Sequence, residues 1–205
     1  MTGRFITFEG VEGGGKSTQI RLLADWLRDR GHDPVLTREP GGTALGREIR
    51  ELVLHASNPI ADRAELLLYG GDRAQHMAEV VEPALAAGRI VLCDRHADSL
   101  MAYQAFGRGL ARDLVAAVNR VATGGRKPDL TLVLDLEPAA GLGRASARGA
   151  PDRLEREDLA FHLRVREGFL TIAAEEPDRV TVLDGAMAPE IVQERIRALV
   201  VSLKS

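Results

Sequence analysis

Cysteine is nearly missing: Cys93 stands alone inside an apolar run, which excludes a disulfide framework and a cysteine-rich metal site. No apolar stretch approaches the length of a membrane span. The Met1 end runs straight into a strand pattern rather than a leader, so the chain reads as soluble and cytoplasmic, with no membrane partner. There is no surplus of positive charge either, because the net charge is -3; that leaves no basic field for nucleic acid. Lysine is scarce, three residues against 24 arginines, a bias that makes arginines informative only by position. Aromatics amount to 4% of the chain, so a ring set beside polar residues deserves an explanation. Repeats, low-complexity tracts and Pro/Ser-rich linkers are lacking. The 205 residues, 45% of them hydrophobic, suffice for one core and predict a single domain.

One of the three lysines lies in the most informative stretch. Residues 10 to 18, Gly10-Val11-Glu12-Gly13-Gly14-Gly15-Lys16-Ser17-Thr18, fit G-x-x-x-x-G-K-[ST], with the apolar run Phe5 to Phe8 before them and a helical pattern after. The glycines let successive backbone N–H groups curl around phosphate oxygens at a helix N-terminus. Lys16 is then a mobile point charge for the β- and γ-phosphates of a nucleotide such as ATP, and Ser17 offers a hydroxyl to Mg²⁺.

Short apolar runs alternate with helical patterns along the rest of the chain. Strands are expected at 5–8, 34–37, 90–93, 130–136 and 180–183. Helices are expected at 17–30, 44–55, 62–87, over most of 98–122, from Pro138 onward, at 158–174 and at 189–203. This predicts an α/β, three-layer fold of the P-loop NTPase type: a five-stranded parallel sheet with helices on both faces. Ligands in such sheets gather at the carboxyl ends of the strands, which should bring together the phosphate loop, Arg38 to Gly42 and Asp94-Arg95. Asp94 closes an apolar strand, where a carboxylate helps hold Mg²⁺ opposite Ser17; capping the next helix is the alternative. Asp135 also closes a strand and reads as a cap. Arg38 and Arg95 each follow a strand directly and suit a two-point grip on a phosphate.

The segment GLGRASARGAPDRLER sets Arg144 and Arg148 one turn apart and adds Arg153 and Arg156. It is either a solvated helix end with Glu155 and Glu157 as partners or a lid, at about 141–157, that carries arginines to transferring phosphates. Tyr69 and Arg73 share a helical face, so the ring could stack a planar base while the guanidinium reads a carbonyl edge; Leu66 to Leu68 beside them read as core. Tyr103-Gln104 is a weaker pair of the same kind, and His96 and His162 read as structural.

Taken together, FEGVEGGGKSTQ, TREPGGT, the Asp94-Arg95-His96 triplet, SLMAYQ and the GLGRASARGAPDRLE lid resemble the thymidylate kinases over nearly the whole chain. TREPGGT with the Asp-Arg-His triplet is much more specific than the phosphate loop alone. The resemblance implies a nucleoside monophosphate kinase-like domain that transfers the γ-phosphoryl of ATP to dTMP, giving dTDP and ADP with Mg²⁺. It further implies Glu12 as acceptor of the sugar 3'-hydroxyl, Arg38 and Arg95 on the acceptor phosphate, Tyr69 stacking the thymine and Arg73 bonding its O4. Tyr103 would crowd the 2' position, and the partner would be a second copy, a homodimer. Gly13 stands where one branch of the family carries a loop arginine, so the chain looks like the bacterial branch with lid arginines, Arg144, Arg148 and Arg153. Leu100 departs from the small polar residue usual there; either Ser99 or Gln104 replaces the hydrogen bond to the base, or specificity rests more on Arg73. Other readings are a kinase for another nucleotide or nucleoside, a P-loop ATPase without an acceptor, and a non-catalytic nucleotide-binding module.

Overall fold

The computed structural model describes residues 3–147 and 149–203. Five strands form one parallel sheet: β1 (Arg4–Glu9), β2 (Val35–Arg38), β3 (Ile90–Asp94), β4 (Leu130–Asp135) and β5 (Val180–Asp184), in the order β2-β3-β1-β4-β5. Burial follows that order. The central strands β1 and β4 are buried almost throughout, whereas the edge strands β2 and β5 alternate between covered and open positions, as expected when only central strands are covered on both faces. The neighbours of β1 lie on opposite sides and come from β3 and β4. The chain therefore reverses direction across the sheet at β1, and the loop that follows sits at that switch point.

Alternate residues of β1 build two cores. Ile6 and Phe8 pack with Ile20, Leu23 and Leu27 of α1 (Lys16–Arg28) and with Val192 and Ile196 of α9 (Pro189–Ser202). Phe5, Val91 and Cys93 face the other way, toward Met77 and Val81. That second layer holds α2 (Ala44–His55), α3 (Asp62–His76), α4 (Glu82–Ala86), α5 (Ala97–Leu100), α6 (Arg112–Thr123), α7 (Pro138–Ser146) and α8 (Leu159–Glu175). A π-helical turn, Met77–Val81, joins α3 to α4, and a second, Met101–Gly107, extends α5. The expected elements are thus all present, with small shifts at their ends.

Two local expectations are corrected. Asp135 caps no helix; both its oxygens accept from Arg166, at 2.7 and 2.9 Å. Leu67 is not core: it is 63% exposed while Leu66 is buried, because a helix cannot turn three successive residues inward. Caps do occur at Thr43, which accepts from the Gly46 N–H, and at Asp158, which accepts from Phe161.

Candidate active site

The phosphate loop leaves β1 and turns into α1 through left-handed backbone at Gly10, Gly13 and Gly15, a region that side chains avoid. At Gly13 space is closed as well, since a Cβ there would lie 2.3 Å from the carbonyl oxygen of Gly141. The converse holds at Gly141, whose Cβ would meet the Glu12 carbonyl oxygen at 2.3 Å. The start of α7 is therefore seated backbone to backbone on the loop, and no side chain fits at Gly13. Arg144, one turn further along α7, donates to the Gly185 carbonyl at 3.2 Å and lies beside that of Gly13.

Lys16 folds back to donate to the carbonyls of Gly10 and Val11, at 3.0 and 2.8 Å. Burial, with the Arg95 guanidinium nearby, lowers its pKa to about 8. Ser17 Oγ donates to Asp94 Oδ2 at 3.0 Å, so Asp94 faces the loop hydroxyl across the β1–β3 edge and does not cap α5. Together they offer the hard oxygen ligands that suit Mg²⁺, which takes few protein ligands and completes its shell with phosphate and water.

The second half of the site begins at Arg95, a non-glycine residue at φ 69°. Its Nη1 donates to the Gly10 carbonyl and to Ser99 Oγ, each at 3.1 Å, and its Nη2 to Glu12 Oε1 at 3.0 Å. Tyr103 places its ring 5.0 Å from the guanidinium and donates its hydroxyl to the same Glu12 oxygen. Burial alone would raise the Glu12 pKa, but the adjoining His162, Arg95, Lys16 and Tyr103 overcome it and hold the carboxyl well below the usual range. Glu12 Oε2 has no hydrogen-bond partner among the described residues and lies 3.5 Å from His162 Nδ1. Arg38 lies exposed at the mouth of the same cleft, beside Asp94 in the sheet register, with no ion pair among the described residues.

Tyr69, Arg73, Leu100 and Gln104 line the inner cleft. Three acceptors fix Arg73: Glu39 at 2.8 Å, Asn119 Oδ1 at 2.8 Å and the His96 carbonyl at 2.9 Å. One N–H remains on each terminal nitrogen. Glu39 in turn accepts from Nδ1 of His76 and of His96, at 2.7 and 3.0 Å. The Ser99 hydroxyl is engaged between Arg95 and Glu9. Gln104 donates its NH₂ to Glu65 at 2.8 Å, which leaves its carbonyl oxygen as the acceptor toward the cleft. Of Ser99 and Gln104, only Gln104 keeps an unengaged side-chain oxygen among the described residues.

The expected lid residues divide. Arg144 stays at the phosphate loop, Arg148 lies outside the described residues, and Arg153 reaches the opposite wall, where it pairs with Glu65. Among the described residues Glu155 and Glu157 pair with no lid arginine: Glu155 accepts from the Asp152 N–H, and Glu157 pairs with Arg108. Glu39, Glu65, Asn119 and His162 were not legible as site residues. Only Glu39 had a local signal, its place inside TREPGGT; the others meet their partners across long stretches of chain.

A family described as Thymidylate kinase matches residues 8–196. The chain is 52% identical over 204 residues to the thymidylate kinase of Desulfovibrio desulfuricans, covering 96% of this chain and 94% of that one. It is 55% identical over 198 residues to the thymidylate kinase of Gloeobacter violaceus, covering 96% and 93%. A crystal structure of thymidylate kinase from Ehrlichia chaffeensis matches with a TM-score of 0.80 at 32% identity, over 98% of this chain and 99% of the other. The match runs through both the phosphate loop and the Arg73 wall, and the chain belongs to the thymidylate kinase family.

Proposed function

We propose that the chain transfers the γ-phosphoryl group of ATP to the 5'-phosphate of dTMP, giving ADP and dTDP. The carrying observation is that one cleft joins a phosphate loop to a wall where Arg73 keeps N–H groups to donate and Gln104, its NH₂ held by Glu65, keeps its carbonyl oxygen to accept. That pair complements the O4 acceptor and N3–H donor of thymine and opposes both groups of cytosine. An oxygen of the acceptor phosphate attacks the γ-phosphorus, and the bond to the bridging oxygen breaks with its electron pair leaving on ADP. The attacking group has its second pKa near ~6 and is largely ionised at neutral pH, so no general base is needed. The work is positioning two polyanions in line and holding their charge.

Lys16 and the amides of residues 10–18 hold the donor phosphates in this reading, with Arg144 on the same side; Arg148, outside the described residues, is assigned to the donor phosphates from its sequence position alone. Ser17 and Asp94 would hold Mg²⁺, which would supply positive charge to the donor phosphates. Arg38 and Arg95 hold the acceptor phosphate. Glu12 accepts the 3'-hydroxyl on its unpartnered oxygen, Tyr103 stands against a 2'-hydroxyl, Tyr69 stacks the thymine and Leu100 packs beside it. The chain acts as one nucleoside monophosphate kinase-like domain in the cytoplasm. Its 141–157 segment moves, pivoting beyond the Gly13–Gly141 seat. Among the described residues no helix is long and apolar enough to cross a membrane.

A homodimer covers the outer face of α2, α3 and α6. Exposed Leu45 and Leu52, Leu67, and Leu114 with Val121 stand on these adjacent helices, and Ala64, Gly71, Ala74 and Ala78 continue the α3 stripe at helical spacing. Such a face suits close helix packing against a second copy.

A coupled assay of ADP release with ATP and Mg²⁺, run across dTMP, dUMP, UMP, dCMP, dGMP and AMP, tests the activity. Strong preference for dTMP is expected. Preference for another acceptor would overturn the base-pocket reading, and ADP release without an acceptor would move the chain to the ATPases.

A further inference from the structure

Residues 152–157 roof the acceptor side of the cleft, with Asp152, Leu154 and Glu155 among its lining. Both ends of this roof are tied to the same wall. The Arg153 backbone N–H donates to the Leu54 carbonyl at 3.0 Å, and its Nε to the Val53 carbonyl at 2.7 Å. These are last-turn carbonyls of α2, left without partners inside their own helix. The far nitrogen of Arg153 reaches Glu65, whose side chain is 0% exposed. At the other end, Glu157 pairs with Arg108 Nη1 at 2.6 Å, and Arg108 Nε donates to Glu65 at 3.2 Å. Glu65 also accepts the NH₂ of Gln104.

Arg153 is thus poorly placed to serve phosphates. Reaching them would break two hydrogen bonds and strip the buried Glu65 of one of its two arginines, and an under-compensated buried carboxylate is unfavourable. The same contacts give it another role. The Gln104 amide has two orientations of opposite hydrogen-bonding sense, and Glu65 selects the one that turns the carbonyl oxygen to the base.

We propose that the Arg153–Glu65 ion pair is a latch that closes the 152–157 roof over the acceptor and fixes the Gln104 amide, making both residues positioning residues for base selection. This rests on the dTMP kinase reading. With the roof lifted, Glu65 loses a cation, Gln104 is held less firmly, and the bias against an amino-bearing base falls.

The test compares wild type with Arg153→Met, Arg153→Lys and Glu65→Gln, each checked for a native melting transition, using dTMP and dCMP as acceptors. For Arg153→Met we expect KM for dTMP to rise about tenfold or more, with kcat and KM for ATP within about threefold, the pattern of a lost acceptor contact rather than a lost transition-state one. The dTMP over dCMP preference in kcat/KM falls about tenfold in Arg153→Met and Glu65→Gln, and Arg153→Lys recovers most of it. If Arg153→Met does not fold, the preference in Glu65→Gln and Arg153→Lys decides. Loss of kcat with KM for dTMP and the preference intact overturns the latch and returns Arg153 to the phosphates; unchanged kinetics also overturn it. Wild-type enzyme inactive on dTMP overturns the parent function and the latch with it.

Discussion

Arg95 keeps a left-handed backbone that disfavours a side chain, and the guanidinium it aims into the cleft explains why that strain is retained. Replacing it should therefore cost more than replacing an exposed lid arginine. Arg95→Ala is expected to lower kcat/KM for dTMP by about a hundredfold or more, as for loss of one preorganised charge donor, while Arg156→Ala changes it less than about threefold; steady-state assays of both decide. Equal, mild effects would contradict the clamp. Glu9, beneath Arg95, tells a different residue-scale story. It is fully buried, and burial followed by the charge of Asp98 raises its pKa from 4.5 to about 8. A carboxyl raised in the fold favours the folded state fully below pH 4.5, and this contribution is lost as pH climbs through 8. Glu9→Gln keeps an acceptor for the His96 N–H and supplies an NH₂ to Ser99. Its melting temperature should fall less between pH 6 and 9 than that of wild type, by roughly a few degrees. Parallel pH curves for the two proteins would show that Glu9 does not titrate there.

At the scale of elements, the seat of α7 on the phosphate loop is the contact most sensitive to a single methyl group. Gly141 has ordinary helical backbone, so Gly141→Ala adds only volume, yet its Cβ meets a carbonyl oxygen that cannot yield. The variant should lose about 1–3 kcal/mol of stability by overpacking and bind ATP more weakly, with dTMP binding nearly unchanged. Equilibrium unfolding and titration calorimetry check the two parts separately. The strands and helices themselves were legible because Gly, Pro and charged residues punctuate buried apolar runs so regularly here. The failures came where punctuation carries two meanings. Asp135 ends a strand just before Pro138, as a cap would, but Arg166 from α8 takes both its oxygens. Leu66, Leu67 and Leu68 gave no period at all, and packing of the helices around α3 leaves Leu66 buried and Leu67 exposed.

For the molecule as a whole, the parallel order β2-β3-β1-β4-β5 carries Arg38, Asp94 and the phosphate loop to one edge, and this convergence followed from the motifs once a parallel sheet was inferred. The supports of the base wall did not. Asn119 holds Arg73 from α6, His162 stands against Glu12 from α8, and Glu65 gathers Gln104 and Arg108 from one stretch of the chain and Arg153 from another. Such pairings depend on how helices pack, and nothing in their local sequence announces them. The outer face of α2, α3 and α6 raises the remaining whole-molecule question. Leu67→Glu puts a charge in the middle of the apolar stripe and should convert a dimer to a monomer by light scattering without lowering the helix content. A wild-type monomer at micromolar concentration would remove the proposed interface.

The γ-phosphoryl group is expected to pass from ATP to dTMP in preference to nucleotides with an amino-bearing or purine base. The most direct measurement follows labelled γ-phosphate from ATP in a mixture of equal dTMP, dUMP, dCMP and dGMP with Mg²⁺, separated by chromatography. Label is expected to accumulate in dTDP, with dUDP the second product because uracil presents the same O4 and N3–H, and with only a trace in dCDP and dGDP; label appearing as free phosphate, or in dCDP or dGDP at the level of dTDP, would overturn the assignment.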